Sequence, residues 1–399
     1  MKLSPFNWLA MSFFGFFCSY GVFMPFFPVW LKSQSYDAET IGLILSSAYI
    51  FRFIGGIAFV GFIKQASQLI PTLRYLAWAT FATILVLTFT IDNFWMLCLC
   101  VAIFSTLNSA GIPLGDTLAT TWQRQVSIDY GKVRLIGSLA FAIGVTCFGY
   151  VIGLVGEKHI GLIICALLLT YSCVQMIPPA LAPQDQAQPK QTLENSTTEN
   201  STANPPSFLS LLKNRTTVKI LTVVALIQGS HAAYYVYSVI YWTHDLNISV
   251  QTTSILWGLS VVAEVIFFFY SSRLLKSWST SAMLYVSAIA CAIRWALFGY
   301  ADNIIEILPL QLMHCLTFAL SHFAIMRYIA MQPQNSIAKL QGLYNAISGC
   351  AALALLMVLV SYIYPVSPLG AFLTMAGFSV LALPFVPRKM KDIRLQEVN

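Results

Sequence analysis

The feature that most constrains this chain is a series of long apolar runs, each of the length that a membrane-spanning helix needs. A helix crosses a bilayer with roughly 20 mostly apolar residues, and it satisfies its own backbone hydrogen bonds, as lipid requires. By that criterion we count about twelve runs, near 6–31, 41–63, 75–91, 94–122, 135–156, 160–182, 217–242, 251–272, 280–299, 305–331, 340–363 and 367–385. The sequence therefore predicts an all-α polytopic membrane protein.

Composition leads to the same class. Of the 399 residues, 58% are hydrophobic and only 9% are charged, whereas charged residues make up about a quarter of a typical soluble domain. The first apolar run is too long for a signal peptide and lacks a small-residue cleavage site, so we expect it to be retained as a span. The net charge of +7 lies in short loops, which membrane topology explains better than a nucleic-acid partner.

A polar segment divides the runs into two sets of six. PQDQAQPKQTLENSTTENSTANPP, residues 183–206, is rich in Pro, Gln, Asn, Ser and Thr, and such a segment cannot bury a core. We predict an N-terminal six-helix bundle over 1–182, a cytoplasmic linker over 183–216, a C-terminal six-helix bundle over 217–385 and a cytoplasmic tail over 386–399. The triplets at Asn195 and Asn200 resemble glycosylation sites but have no meaning in the cytoplasm.

The distribution of Lys and Arg predicts the orientation, because cytoplasmic loops carry an excess of these residues. With the N-terminus inside, 17 of the 22 Lys and Arg residues fall in inner loops or termini, and Lys32 and Lys158 fall in outer loops. The other three, Arg52, Arg294 and Arg327, lie within apolar runs. Both termini are therefore expected in the cytoplasm.

Motifs for enzymatic chemistry are missing from the sequence. The 9 cysteines all lie in apolar runs without metal-binding spacing, so we interpret them as reduced packing residues. Neither a phosphate-binding Gly-x-x-x-x-Gly-Lys-Ser/Thr loop nor a His-Glu-x-x-His helix occurs. We expect no cofactor, no metal site and no enzymatic activity. Two six-span halves joined by a linker are instead the layout of repeat-built transporters, whose substrate site lies near the midplane between halves.

Ionisable residues within spans are functional candidates, because each is costly in lipid. At a rise of 1.5 Å per residue, four of them in the second half lie roughly 8 to 20 Å below the outer surface: His231, Glu264, Arg294 and His314. They can meet in one cavity. A Glu264–Arg294 ion pair that only fixes helix packing is the structural alternative, but the two imidazoles, which titrate near neutral pH, favour a coupled proton and substrate site.

The sequence places fewer constraints on the roles of the other polar and aromatic residues within the spans. Tyr234 and Tyr235 can stack an aromatic substrate, and Gln228 on the same run is added to the binding candidates. His322 is left undecided between a pathway residue and a packing residue. Arg327 is close enough to the inner surface for its side chain to reach it. In the first half, Arg52 and Asp116 either pair or act separately in a gate, and the loop of Asp129 and Arg134 is a candidate inner gate.

Five stretches have a pattern typical of a known family: PLGDTLATTWQRQ at 113–125, DYGKVRLIGSLAF at 129–141, QGSHAAYYVYSVIYW at 228–242, GLSVVAEVIFF at 258–268, and HCLTFALSHFAIMRYIA from His314. Through them the chain resembles the major facilitator superfamily, and within it the proton symporters of the phenylpropionate permease type, distant relatives of lactose permease. The resemblance implies two pseudo-symmetric six-helix bundles, a monomer, and a bacterial cytoplasmic (inner) membrane. In the lactose permease pattern, Arg294, Glu264 and His314 match residues of proton coupling or substrate binding, but Gln311 and Thr317 replace a Lys and a second Glu.

From the residues and this resemblance we expect proton-coupled uptake of a small aromatic carboxylate such as 3-phenylpropionate. Arg294 can clamp a carboxylate bidentately, and protonation of Glu264 would remove its repulsion of the anion, with His314 and His231 orienting the substrate or relaying the proton. The alternative is a proton symporter for a neutral sugar or nucleoside that stacks on Tyr234 or Tyr235. A sensor that transports nothing would be expected to carry an added signalling domain.

Overall fold

The computed structural model describes residues 2–63, 65–185 and 207–388. Within them, 12 helical spans are long and apolar enough to cross a membrane. We number them spans 1 to 12 in chain order: Pro5–Ser33, Ala38–Ala58, Ala66–Thr90, Phe94–Val126, Tyr130–Val155, Glu157–Gln175, Arg215–Asp245, Val250–Leu274, Thr280–Phe298, Ile304–Ala330, Asn335–Ile363 and Pro368–Phe385. In the described residues β-structure is limited to one isolated bridge between Leu3 and Pro179. The all-α prediction is confirmed.

Polar caps fix where many of the spans begin. The side chains of Ser4, Asp37, Asn93, Asp129, Asn214, Ser249, Ser279, Asn303 and Ser367 each accept a hydrogen bond from a backbone N–H in the first turn that follows. Such a cap satisfies a donor that would otherwise be left without a partner, and is worth about 1 kcal/mol. The spans therefore start where a short polar residue precedes an apolar run.

Four spans are interrupted rather than continuous. Span 5 passes through a π-helical turn at Gly144–Phe148, and span 11 through one at Asn345–Ala351. Span 7 consists of Arg215–Gly229 and Ala232–Ile240, followed by the π-helical Tyr241–Asp245. Span 10 consists of Ile304–Leu312, the π-helical Cys315–Ala319 and Leu320–Ala330. A short helix, Phe208–Lys213, precedes span 7.

The predicted end of the sixth run is wrong for a clear reason. The sixth run was expected to be helical to residue 182, but its helix ends at Gln175. Pro178 and Pro179 follow, and a proline disfavours helical geometry in the residue before it. The apolar character of the run continues past the point where its backbone can remain helical.

The two halves repeat one pattern of contacts. In the first half, span 1 packs on spans 5 and 6, span 4 on spans 2 and 3, and span 3 on span 6. Each of these pairs recurs six spans later, as 7 with 11 and 12, 10 with 8 and 9, and 9 with 12. This repetition is the pseudo-symmetry expected of the fold. The exact bundle limits stay a prediction, and residues 186–206 of the predicted linker, with Asn195 and Asn200, lie outside the described residues.

The halves meet most closely at one end. We call the end that carries Pro5 and the end of span 12 the terminal end, and the opposite one the far end. At the far end, the Tyr237 hydroxyl donates to the Ala38 carbonyl at 2.7 Å. The Tyr237 ring stacks on that of Tyr364, with the ring centroids 4.0 Å apart. The start of span 2 packs here because Gly42 has no side chain; a Cβ there would overlap Tyr237 and Ser361. The far end is closed.

Candidate functional site

A cavity of about 630 Å³ lies between the halves, within the size range of small-molecule sites. It reaches from the middle of the bundle towards the terminal end, where Arg134 and Phe269 line it. Spans 1, 5, 7, 8 and 10 form its wall, through Phe17, Tyr20, Met24, Gly131, Arg134, Leu135, Ser138, Phe141, Tyr235, Trp257, Val261, Glu264, Val265, Phe268, Phe269, His314, Phe318 and His322. The wall is mostly aromatic and aliphatic, with Glu264 as its acidic group.

Three ionisable residues form a connected chain beside this cavity. His314 Nε2 lies 3.3 Å from Glu264 Oε2, and His314 Nδ1 lies 3.1 Å from Arg294 Nη1. A guanidinium can only donate hydrogen bonds, so Nδ1 of His314 accepts from Arg294, and its Nε2–H donates to the Glu264 carboxylate. Glu264 and Arg294 therefore do not form a direct ion pair; the imidazole stands between them.

His231 joins this chain through Thr317. Its Nδ1 lies 3.1 Å from the Ile227 carbonyl, which only accepts, so Nδ1 carries the hydrogen and Nε2 accepts from the Thr317 hydroxyl at 3.3 Å. The same Thr317 oxygen accepts from Arg294 Nη1 at 3.0 Å. One hydroxyl thus links two residues from different spans, and the structure brings all four predicted residues of the second half together.

The interrupted spans explain how these side chains are positioned. His231 lies at the break between Gly229 and Ala232, and His314 directly precedes the π-helical turn of span 10. Breaks and π-bulges leave backbone groups outside the regular ladder and are frequent at functional sites. Discontinuous helices near the midplane are also how transporters build their binding sites.

Arg294 is enclosed by protein. Its exposure is 0%, and its guanidinium carbon lies 4.7 Å from the ring centre of Tyr234 and 4.6 Å from that of Trp295. Its Nε and Nη2 have no acceptor among the described side chains and backbone. His314 separates it from the cavity, and Arg294 is not part of the cavity wall.

Of the six residues expected to bind substrate, Tyr235 and His314 line the cavity. The others, including Arg294, are packed behind the wall. His231 is fully buried, Tyr234 stacks on Trp257 and donates to Gln311 at 2.8 Å, and Gln228 donates to Ser321 at 2.6 Å. Direct substrate contact by these residues stays a prediction that this conformation does not display.

The undecided His322 lies on the cavity wall. Its ring is nearly parallel to that of Phe318 at 6.3 Å, and Phe318 in turn stacks on His314 at 5.3 Å. Its Nδ1 also lies 2.9 Å from the Tyr344 hydroxyl. His322 thus has both contacts considered from the sequence: it faces the pathway and packs against a neighbouring helix.

In the first half, Arg52 and Asp116 do not pair with each other, which leaves the alternative that they act separately. Asp116 pairs with Arg134 at 3.2 Å and not with Arg52. Arg52 donates a hydrogen bond to the Tyr20 hydroxyl. The Asp129 side chain accepts a hydrogen bond from the Lys132 backbone N–H and so caps the start of span 5.

Arg327 lies in the last turn of span 10, at the terminal end, where the sequence placed it close to the inner surface. It donates to the backbone carbonyls of Trp278 and Leu275, at 2.6 and 2.9 Å, beyond the end of span 8.

Sequence reasoning missed three residues of the site. Thr317 was noted only as a departure from a family pattern, although it lies one helical turn from His314, and residues at that spacing share a face. Tyr20 and Trp257 lie on apolar runs with ordinary aromatic content. Their spacing gives no signal, so only packing identifies them.

The broken spans, the central cavity and the buried charges define a membrane transporter, and comparison with known proteins agrees. The model of the MFS_1 like family matches residues 6–374. The chain is 35% identical over 389 residues to the probable 3-phenylpropionic acid transporter of Escherichia coli (strain K12), covering 96% of this chain and 97% of that one. It is 23% identical to the uncharacterized transporter YwbF of Bacillus subtilis (strain 168), over 83% and 79% of the two chains.

Solved structures show the same fold. The nucleoside transporter NupG superposes with a TM-score of 0.77 at 16% identity, covering 96% of this chain and 98% of that one. An auto inhibited POT family peptide transporter superposes with a TM-score of 0.69 at 12% identity, covering 98% of each chain. The chain therefore belongs to the MFS_1 like family of the major facilitator superfamily. It is an integral membrane transporter and not an enzyme.

Proposed function

We propose that the protein imports a small aromatic carboxylate, such as 3-phenylpropionate, together with a proton by alternating access. The observation that carries the proposal is the 35% identity, over almost the full length of both chains, to the probable 3-phenylpropionic acid transporter. An aromatic cavity of about 630 Å³ with Glu264 in its wall supports it, because such a cavity suits a phenyl ring and supplies a group that can bind and release a proton.

Electrostatics make Glu264 the proton carrier of this proposal. Two like unit charges about 6 Å apart repel by about 3 kcal/mol at an effective dielectric constant of about 20. An ionised Glu264 would therefore oppose an entering carboxylate, and a protonated one would not. His314 is suited to a different role, because protonation of its Nδ1 would place two cations 3.1 Å apart and break its bond with Arg294.

In this mechanism His314 and Arg294 respond to the state of Glu264. While Glu264 is ionised, the imidazole donates to it and holds Arg294 in place. When Glu264 is protonated, its uncharged carboxyl attracts the imidazole N–H less strongly. The hydrogen bonds that Arg294 makes with His314 and Thr317 then weaken. Proton binding in one span is thereby transmitted to spans 7, 9 and 10, which carry His231, Arg294 and Thr317.

The conformation supports alternating access as the means of transport. The far end is closed by Tyr237 against Ala38 and by the Ser46 hydroxyl, which donates to the Ala354 carbonyl at 2.9 Å. In the opposite state these contacts would open, and the terminal end, where Asp116, Arg134 and Asp129 lie, would close. We propose these three residues as parts of the gate there.

The proposal includes the orientation. With both termini in the cytoplasm, as the Lys and Arg distribution predicts, the cavity opens to the cytoplasm and the far end faces outward. The chain acts as a monomer in a bacterial cytoplasmic membrane. The similarity of this chain to the nucleoside transporter, at 16% identity, concerns the fold alone. It therefore does not favour a neutral nucleoside as the substrate.

Uptake by proteoliposomes tests the proposed function. Vesicles that contain the full chain and an imposed inward proton gradient are supplied with labelled 3-phenylpropionate. We expect accumulation that a protonophore abolishes and that unlabelled phenylpropionate, but neither galactosides nor nucleosides, competes away. Uptake that ignores the gradient, or that a sugar or nucleoside blocks, would contradict the proposal.

A further inference from the structure

Arg52 is a charged residue in the middle of a span that the proposed mechanism does not use. It lies on span 2, half-buried, between two tyrosines: its guanidinium carbon is 5.2 Å from the ring centre of Tyr20 and 5.3 Å from that of Tyr49. One nitrogen, Nη1, donates to the Tyr20 hydroxyl. Among the described residues, none of the four ion pairs includes Arg52.

The three other charged groups near the cavity are accounted for. Arg294 reaches Glu264 through His314, and Arg134 pairs with Asp116 at 3.2 Å. A buried charge without a counter-ion costs several kcal/mol. Tyrosine rings and a hydroxyl repay part of that cost for Arg52, but they leave its positive charge uncompensated.

Arg52 lines a small pocket next to the main cavity. The pocket has a volume of about 30 Å³ and includes Ser105 and Asn108 in its wall. Tyr20, Met24 and Tyr235 line both spaces. A water molecule needs about 10–15 Å³ by this measure, so the pocket has room for about two waters or for one carboxylate, while a ring attached to that carboxylate would lie in the aromatic cavity.

We propose that Arg52 is the anchor for the carboxylate of the transported acid, and that Arg294 is not. This inference rests on the proposed function and names its anion site. A guanidinium binds a carboxylate through two parallel N–H···O bonds. Arg52 lines a pocket that can hold a carboxylate, whereas the guanidinium of Arg294 is enclosed behind His314.

The charge balance of the transport cycle agrees with this assignment. With Glu264 ionised and the pocket empty, Arg52 is the excess positive charge. With Glu264 protonated and a carboxylate on Arg52, one negative charge has been replaced by another, and the net charge of the cavity is unchanged. The loaded and the empty carrier then meet similar electrostatic barriers when the two halves move.

The test compares an acid with its uncharged amide. Binding of labelled 3-phenylpropionate to the purified full chain in nanodiscs gives its Kd, and competition gives the affinity of 3-phenylpropanamide, which keeps the ring and chain but has no charge. For Arg52→Gln we expect the affinity for the acid to fall about 30-fold or more, as for a lost charge-assisted bidentate pair, and the affinity for the amide to change less than about threefold. Arg294→Gln is the matched control, and we expect it to reduce the acid-to-amide preference less than about fivefold, since it acts on the anion only at a distance.

An unchanged acid-to-amide preference in Arg52→Gln would overturn the assignment, and a preference lost only in Arg294→Gln would move the anchor there. Equal losses for acid and amide would show a structural role for Arg52 instead. If Arg52→Gln does not fold, Arg52→Lys decides, because it keeps the charge but loses the fork; an acid-selective loss of about fivefold to tenfold is expected.

A wild type that binds another acid refutes only the proposed substrate, and the same pair of measurements is then made with that acid and its amide. A wild type that binds no organic acid overturns both proposals.

Discussion

The two halves of the chain face the same cavity with different chemistry. The second half contributes Glu264, His314 and Arg294, joined by hydrogen bonds and, together with His231 and Thr317, packed into a continuous network. The first half contributes Arg52, held by aromatic rings beside an open pocket. A hydrogen-bonded network of titratable groups suits proton exchange, and a cation without an acidic partner beside a pocket suits an anionic ligand.

Under the two proposals, proton coupling belongs to the second half and anion binding to the first, so both halves must move together. Tyr235 of the second half lines the small pocket together with Arg52 of the first. A bound carboxylate would therefore contact both halves, as an alternating-access carrier requires of its substrate.

The largest expected effect comes from removing the enclosed cation of the second half. In Arg294→Gln the His314 Nδ1 and the Thr317 hydroxyl lose their charged donor, and Glu264 loses the positive charge that balances it. Breaking such a buried arrangement costs about 3–5 kcal/mol. We expect proton-driven accumulation in proteoliposomes to fall to background.

The matched control is Arg327→Gln, which removes an Arg whose side chain donates to the carbonyls of Trp278 and Leu275. We expect this variant to retain more than about half of wild-type accumulation, because surface changes away from a site are usually nearly neutral. Equal losses in the two variants would remove the distinction between the coupling network and the rest of the bundle.

At His314 the expected effect depends on the replacement, being intermediate for glutamine and as large as that of Arg294→Gln for alanine. Glutamine can still accept from Arg294 and donate to Glu264, so His314→Gln should retain about a tenth of the wild-type rate. Alanine leaves both partners unsatisfied, and a buried unsatisfied charged group costs about 3 kcal/mol, so His314→Ala should fall to background. Initial rates of gradient-driven uptake measure both variants, and identical rates would show that the hydrogen bonds of this ring do not matter.

The smallest effect is expected at the far end. His244 Nε2 lies 3.6 Å from Glu157 Oε2, across the two halves, but the two side chains are 38% and 22% exposed. Exposed pairs contribute about 0–1 kcal/mol, so His244→Gln should change the uptake rate less than about threefold. A loss as large as that of His314→Ala would show that the outer contact, and not the buried network, limits transport.

Sequence reasoning predicted the spans and the second-half site better than it predicted the orientation of side chains. The apolar runs give the spans because hydrocarbon thickness sets their length, and the rise per residue gives the depths at which His231, Glu264, Arg294 and His314 come together. Neither quantity says which way a side chain points. Arg294 turns between Tyr234 and Trp295, away from the cavity, because of contacts between spans that are remote in sequence.

The first half was less predictable for the same physical reason. Arg52 and Asp116 were candidates for a pair because both are charged residues of first-half spans, but Arg134 is the partner of Asp116 and Tyr20 that of Arg52. The break at His231 also has no pattern in the apolar periodicity, since Gly229 and Ser230 interrupt the helix without a proline. Roles of the individual site residues stay predictions that the variants above address.

The central claim is that Glu264 carries the proton, and separating exchange from accumulation tests it most directly. In Glu264→Gln the side chain resembles the protonated carboxyl permanently. We expect counterflow exchange of labelled for unlabelled 3-phenylpropionate at about the wild-type rate, together with loss of accumulation driven by a proton gradient. A variant that still accumulates substrate against its gradient would contradict the assignment of the proton to Glu264.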